Sequence, residues 1–129
     1  MSALMKPVSS EKAPAAAGPY SCAIQQGNTL YVSGQLPVRG DGTMPESAAE
    51  QARQSLLNIS ALLESAGMNL KCIVKTTVFL TSMDDFAAVN EVYGSILSEP
   101  YPARSCIEVS RLPKGARVEI ECIAVRQEV

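Results

Sequence analysis

Two stretches between Tyr101 and the C-terminus have side chains that alternate along the backbone. In the second, Val118, Ile120, Cys122 and Ala124 alternate with Arg117, Glu119 and Glu121, the period of two expected of a strand with one buried face. Ahead of it, Leu112-Pro113-Lys114-Gly115 has turn chemistry, with Pro presetting φ and Gly accepting a positive one. The pair reads as two strands joined by a short turn. Arg104, Cys106 and Glu108 share one side of the first strand, and Glu119 and Glu121 share one side of the second. Lone charges on strands usually meet solvent. Two paired strands presenting a guanidinium, a thiol and carboxylates on one face would instead line a polar pocket. The residues alone leave both readings open.

The rest of the chain alternates strands with helices. Residues 1–18 are polar and rich in Pro and Ala, and read as an arm of a single domain spanning 1–129. A strand is expected over Pro19–Ile24, a turn at Gly27-Asn28 and a strand over Thr29–Leu36, together a hairpin. Gly34 inside a strand marks a bulge, a close backbone approach or a simple bend. Ser47-Ala48-Ala49-Glu50 has the form of a capping box. Ala52, Leu56, Ile59, Leu63 and Ala66 follow at helical spacing, and Gly67 stops the helix. Cys72–Leu80 is a continuous β-branched run and reads as a buried strand. Ser82, Asp84 and Asp85 open a second helix whose apolar stripe is Phe86, Val89, Tyr93, Ile96 and Leu97, with Asn90 at its edge. Glu99-Pro100-Tyr101-Pro102 ends it.

Composition narrows the function. An apolar fraction of 47% against 19% charged residues describes a globular chain, and a net charge of −2 with scattered basic residues gives no footprint for nucleic acid. No apolar run reaches the length of a membrane span, and the Ala13-Pro14-Ala15-Ala16-Ala17 run is too short and Pro-broken for a signal h-region, so no secretion signal is expected. The chain is expected to be cytoplasmic. Cys22, Cys72, Cys106 and Cys122 form no Cys-x-x-Cys pair and read as free thiols. The absence of histidine removes the commonest general base and metal ligand. No metal spacing and no Gly-rich phosphate loop occurs.

Strand–helix–strand crossovers imply parallel neighbours and hairpins imply antiparallel ones. The expected fold is therefore α+β: a mixed sheet with both helices on one face. Nothing in the chain remains to cover the other face, so a homo-oligomer is expected.

At this point the residues resemble a known family. Gly18-Pro19-Tyr20-Ser21, Tyr31-Val32-Ser33-Gly34-Gln35-Leu36-Pro37, Glu50-Gln51-Ala52-Arg53-Gln54-Ser55-Leu56, Val74–Leu80, Pro102-Ala103-Arg104-Ser105-Cys106 and Glu119-Ile120-Glu121 are similar to the RidA (YjgF) family of reactive-intermediate deaminases. The resemblance implies a chorismate-mutase-like fold and a homotrimer whose sheets meet in a central barrel, with a pocket at each subunit interface. It implies hydrolysis of 2-enamine and 2-imine acids, by-products of pyridoxal-phosphate enzymes, to 2-keto acids and ammonia, with no cofactor and no metal.

The same resemblance assigns roles. Arg104 grips the substrate carboxylate, and Glu119 positions or activates the attacking water. Tyr20, Ser33 and Asn90 line the pocket. Backbone N–H groups near Gly34 and Cys106 hold the substrate, the Cys106 thiol being lining rather than nucleophile. Ser98-Glu99-Pro100-Tyr101 is shorter than this connection often is in the family, which bears on substrate size. A non-enzymatic ligand-binding or chaperone-like trimer and an endoribonuclease are the competing readings. The acidic balance and missing histidine disfavour the latter.

Overall fold

The computed structural model describes residues 4–127. In order the elements are β1 (Lys6–Val8), β2 (Ala23–Gln26), β3 (Thr29–Gln35), α1 (Ala48–Ser65), β4 (Ile73–Leu80), α2 (Phe86–Ile96), β5 (Ala103–Glu108) and β6 (Val118–Val125). The strands form one mixed sheet in the order β1-β2-β3-β6-β4-β5. Residues 1–18, expected as an arm, include β1, which pairs with β2. Among the described residues no helix is long and apolar enough to cross a membrane.

The first helix forms where its sequence signals lie. Ser47 Oγ accepts the Glu50 N–H at 3.1 Å. At the other end Gly67 takes φ 73°, its N–H bonds Glu64 O at 3.0 Å, and Met68 N–H bonds Leu63 O at 2.8 Å. These two bonds make a Schellman motif, which glycine permits because it has no Cβ to strain at positive φ. Leu56, Ile59, Leu62 and Leu63 are wholly buried. Burial of each contributes about 1.5–3 kcal/mol before conformational entropy is counted. They pack with Val89, Val92 and Tyr93 of α2 onto Leu30, Val32, Val78, Leu80, Val118 and Ile120. One core therefore lies between the two helices and a single face of the sheet.

Two expectations fail here. Strands β5 and β6 are not a hairpin: β4 lies between them, parallel to β5 and antiparallel to β6. The β4-α2-β5 crossover makes β5 a parallel neighbour, while residues 109–117 carry the chain across the end of β4 to its other side. That loop is pinned on both sides of the strand it crosses, by Val109 N–H on Leu80 O (2.8 Å) and Thr81 N–H on Arg117 O (3.1 Å). β6 also slots between β3 and β4, so these two are not adjacent.

The second failure follows from the first. Val78 is fully buried against the helices, so its register partners Cys106 and Ile120 face the helices too. The next row, Ile107–Phe79–Glu119, faces the other way. Arg104 and Cys106 thus look toward α2, whereas Glu119 and Glu121 lie on the open face. No single polar face joins them.

Among the described residues nothing covers the open face. Tyr31 and Ile107 are exposed on it, and Phe79, Ile123, Thr77 and Lys75 are half-buried there. Among the described residues β5 is also a sheet edge, with no strand on its outer side.

Candidate functional site

The predicted site residues fall into two groups. The first is Tyr20, Ser33, Gly34 and Glu119, which line a shallow hollow of about 490 Å³ with Glu121, Lys114 and Leu36. The β3–β6 register shifts between Val32 and Gln35, so the bulge falls at Ser33-Gly34. The close approach anticipated for Gly34 also occurs. A Cβ there would lie 2.8 Å from the Glu119 carboxyl carbon and closer still to Oε2. Ser33 Oγ donates to Ser21 O at 2.6 Å and the Tyr20 hydroxyl accepts from Ala17 N–H at 3.3 Å, which ties the segment before β2 over the hollow. Burial, and then the charge of neighbouring Glu121, push the Glu119 carboxyl above its ordinary value.

The second group is Asn90, Arg104 and Cys106, on the helix side of the sheet edge. Arg104 Nη1 donates to Asn90 Oδ1 at 2.7 Å. The guanidinium carbon stands 4.9 Å from the Tyr93 ring centroid and 5.7 Å from that of Phe86. Among the described residues Asn90 is the sole hydrogen-bond partner of the guanidinium, leaving its Nε and Nη2 donors open. Burial raises the Cys106 thiol above its usual pKa despite the nearby Arg104 charge. A thiol so held is a poor nucleophile, in keeping with a lining role. Glu108 belongs to neither group: it accepts the Met83 N–H at 2.8 Å and caps the turn before α2.

Some neighbours were not singled out from the sequence. Phe86, read as core, is 38% exposed and lies over Arg104. Tyr93, also read as core, is buried but carries the guanidinium on its ring. Their spacing with Asn90 at i, i+4 and i+7 was the available signal, since these positions share a helix face. Lys114, read only as turn, stands at φ 61° in the loop before β6 and completes the Glu119 hollow together with Glu121, which the alternation had already placed on the Glu119 side of its strand. The short connection Ser98–Pro100 lines a separate hollow with Leu70, Lys71 and Ile73, which contains none of the predicted site residues. Among the described residues no group of three His, Cys, Asp or Glu side chains could hold a metal.

Known proteins share both sequence and fold with this chain. A 2-iminobutanoate/2-iminopropanoate deaminase of Escherichia coli K12 is 48% identical over 96% of this chain and 100% of that protein. The Salmonella typhimurium protein of the same name is 47% identical over the same shares. Among solved structures, the E. coli YjgF gene product superposes with a TM-score of 0.90 at 47% identity, covering 95% of this chain and 99% of that one. E. coli TdcF with bound serine gives 0.90 at 42% identity and the same coverage. The family model described as Endoribonuclease L-PSP matches residues 10–126, and with it this chain belongs to the RidA/YjgF family.

Proposed function

We propose that this protein is a 2-iminobutanoate/2-iminopropanoate deaminase acting as a homotrimer, with each active site closed between the Arg104 group of one chain and the Glu119 group of the next. The observation that carries the subunit arrangement is the split of the site. Arg104 and Glu119 lie on opposite faces of one sheet, so one small substrate cannot touch both in one chain. The uncovered face and free β5 edge supply a surface on which a second copy can bring the halves together. The relatives' names support the chemistry, and the serine bound to TdcF has the size and carboxylate of the proposed substrate class.

The Nε and Nη2 donors of Arg104 make two parallel charge-assisted bonds to the substrate carboxylate, a geometry that a lysine cannot reproduce. The imine carbon then lies over the neighbouring Glu119. Its carboxylate takes a proton from water as the oxygen attacks that carbon, giving a carbinolamine. That proton passes to the imine nitrogen to complete the carbinolamine; the hydroxyl proton then follows it to nitrogen through the same carboxylate as the C–N bond breaks, so ammonia leaves and the 2-keto acid remains. A positioned base of this kind contributes ~10²–10⁴-fold.

Mixing two inactive variants tests the arrangement. Arg104→Ala and Glu119→Gln should each abolish the acceleration of keto-acid release from threonine plus a threonine dehydratase. Subunit exchange between them should restore activity at about a quarter of the interfaces of a closed ring. No recovery despite proven exchange, or monomers only in sedimentation, would refute it. The family description favours ribonuclease activity as a second reading, but the chain has net charge −2 and no histidine. RNA cleavage that is lost in both variants would revive that reading.

A further inference from the structure

The aromatic floor beneath Arg104 is a built feature that the reaction scheme does not use. Thr76 is the register partner of Arg104 across β4 and β5, and is fully buried. Its Oγ1 lies 2.7 Å from the Tyr93 hydroxyl. The same pairing that places the guanidinium therefore places the group that anchors the ring below it. On α2, Phe86, Asn90 and Tyr93 form one stripe, and all three contact Arg104. Arginine has about 2 kcal/mol of rotamer entropy to lose when it is fixed. A guanidinium 4.9 Å from one ring centroid, 5.7 Å from a second and held at Nη1 by Asn90 has lost that freedom before substrate arrives. Its Nε and Nη2 donors are then left for the substrate carboxylate.

We infer that Tyr93, locked by Thr76 and assisted by Phe86, is a positioning residue that preorganises Arg104 as a carboxylate clamp. This rests on the reading of Arg104 as the substrate anchor. An uncommitted guanidinium would have to be ordered by each incoming substrate, at the expense of affinity. Pairing the Tyr93 hydroxyl with Thr76 also satisfies a buried polar group, so the ring cannot tilt without leaving both hydroxyls unpaired.

The probe is 2-oxobutanoate, titrated into the assembled protein by NMR. Tyr93→Leu removes the floor and should weaken binding roughly tenfold, the scale of a partly desolvated cation–π contact. Tyr93→Phe keeps the ring but frees its tilt, and should lose about threefold. In an Arg104→Ala background, Tyr93→Leu should have no further effect, which a purely structural role would not predict. If Tyr93→Leu does not fold, Phe86→Leu at the exposed end of the stripe should lose about threefold, again only when Arg104 is present. Arg104→Ala binding as well as the unaltered protein would overturn the substrate-anchor reading itself. Arg104→Ala losing binding while the Tyr93 and Phe86 variants keep it would overturn this inference alone.

Discussion

Replacing Gly34 by Ala separates function from stability. The new Cβ would stand 2.8 Å from the Glu119 carboxyl carbon and 3.2 Å from its Cγ, where ordinary contact begins at 3.4 Å. Backbone at this bulge does not require glycine, because Gly34 is not among the glycines at positive φ. The clash is with the far end of a half-buried, flexible side chain, which can swing toward solvent. Loss of unfolded-state freedom stabilises a Gly→Ala variant by about 0.4–1 kcal/mol where the backbone allows it, and offsets the repacking. Net stability should therefore stay within about 1 kcal/mol of the parent, as read by urea denaturation. Activity should not survive. The carboxylate moves on the order of an ångström, and misplacement on that scale lowers a rate about 10²-fold. Keto-acid release in the threonine dehydratase assay measures it, and Gly34→Ala combined with Glu119→Gln should be no worse than Glu119→Gln alone. Full activity in Gly34→Ala, or losses that add in full, would refute the placement of Glu119 at the reaction centre.

Other consequences are open to direct measurement. Because the Glu119 carboxyl is held above its ordinary value, the acid limb of the rate profile should lie above the usual glutamate range and vanish in Glu119→Gln. The sign for stability is the reverse of a salt-bridged acid. Stability present below the ordinary glutamate pKa is lost as pH rises through the raised one, so Glu119→Gln should raise Tm at neutral pH but not in acid. Asn58 is 1% exposed and donates to Leu36 O and Val38 O at 3.0 and 3.1 Å. Asn58→Ala orphans both carbonyls and should lower stability by about 2–4 kcal/mol in urea melts, with the fold retained. Ile107, 45% exposed on the open face of the edge strand, should tolerate Glu in the monomer but not in the assembly. Sedimentation of Ile107→Glu should show lone chains, and turnover should fall with assembly.

Much of this protein follows from short-range pattern. Ser47 and Gly67 delimit the first helix because caps and positive-φ stops act within a turn of the chain. The alternation from Val118 to Ala124 marks a strand wherever that strand goes, and Gly34 announces a bulge beside something close. The Pro-Ala-Arg-Ser-Cys segment points to the family for the same reason: it is contiguous. Tertiary pairing decided what lies beyond that range. Whether β6 pairs with β5 or inserts between β3 and β4 depends on which backbone offers unpaired donors and acceptors once α2 has carried the chain over, and no local period encodes that choice. Since each strand presents its side chains to alternate faces, the pairing with β4 sent Arg104 toward the helices and Glu119 to the open side. The sequence could therefore nominate both residues, but only the register of three strands could place them on opposite sides of one sheet.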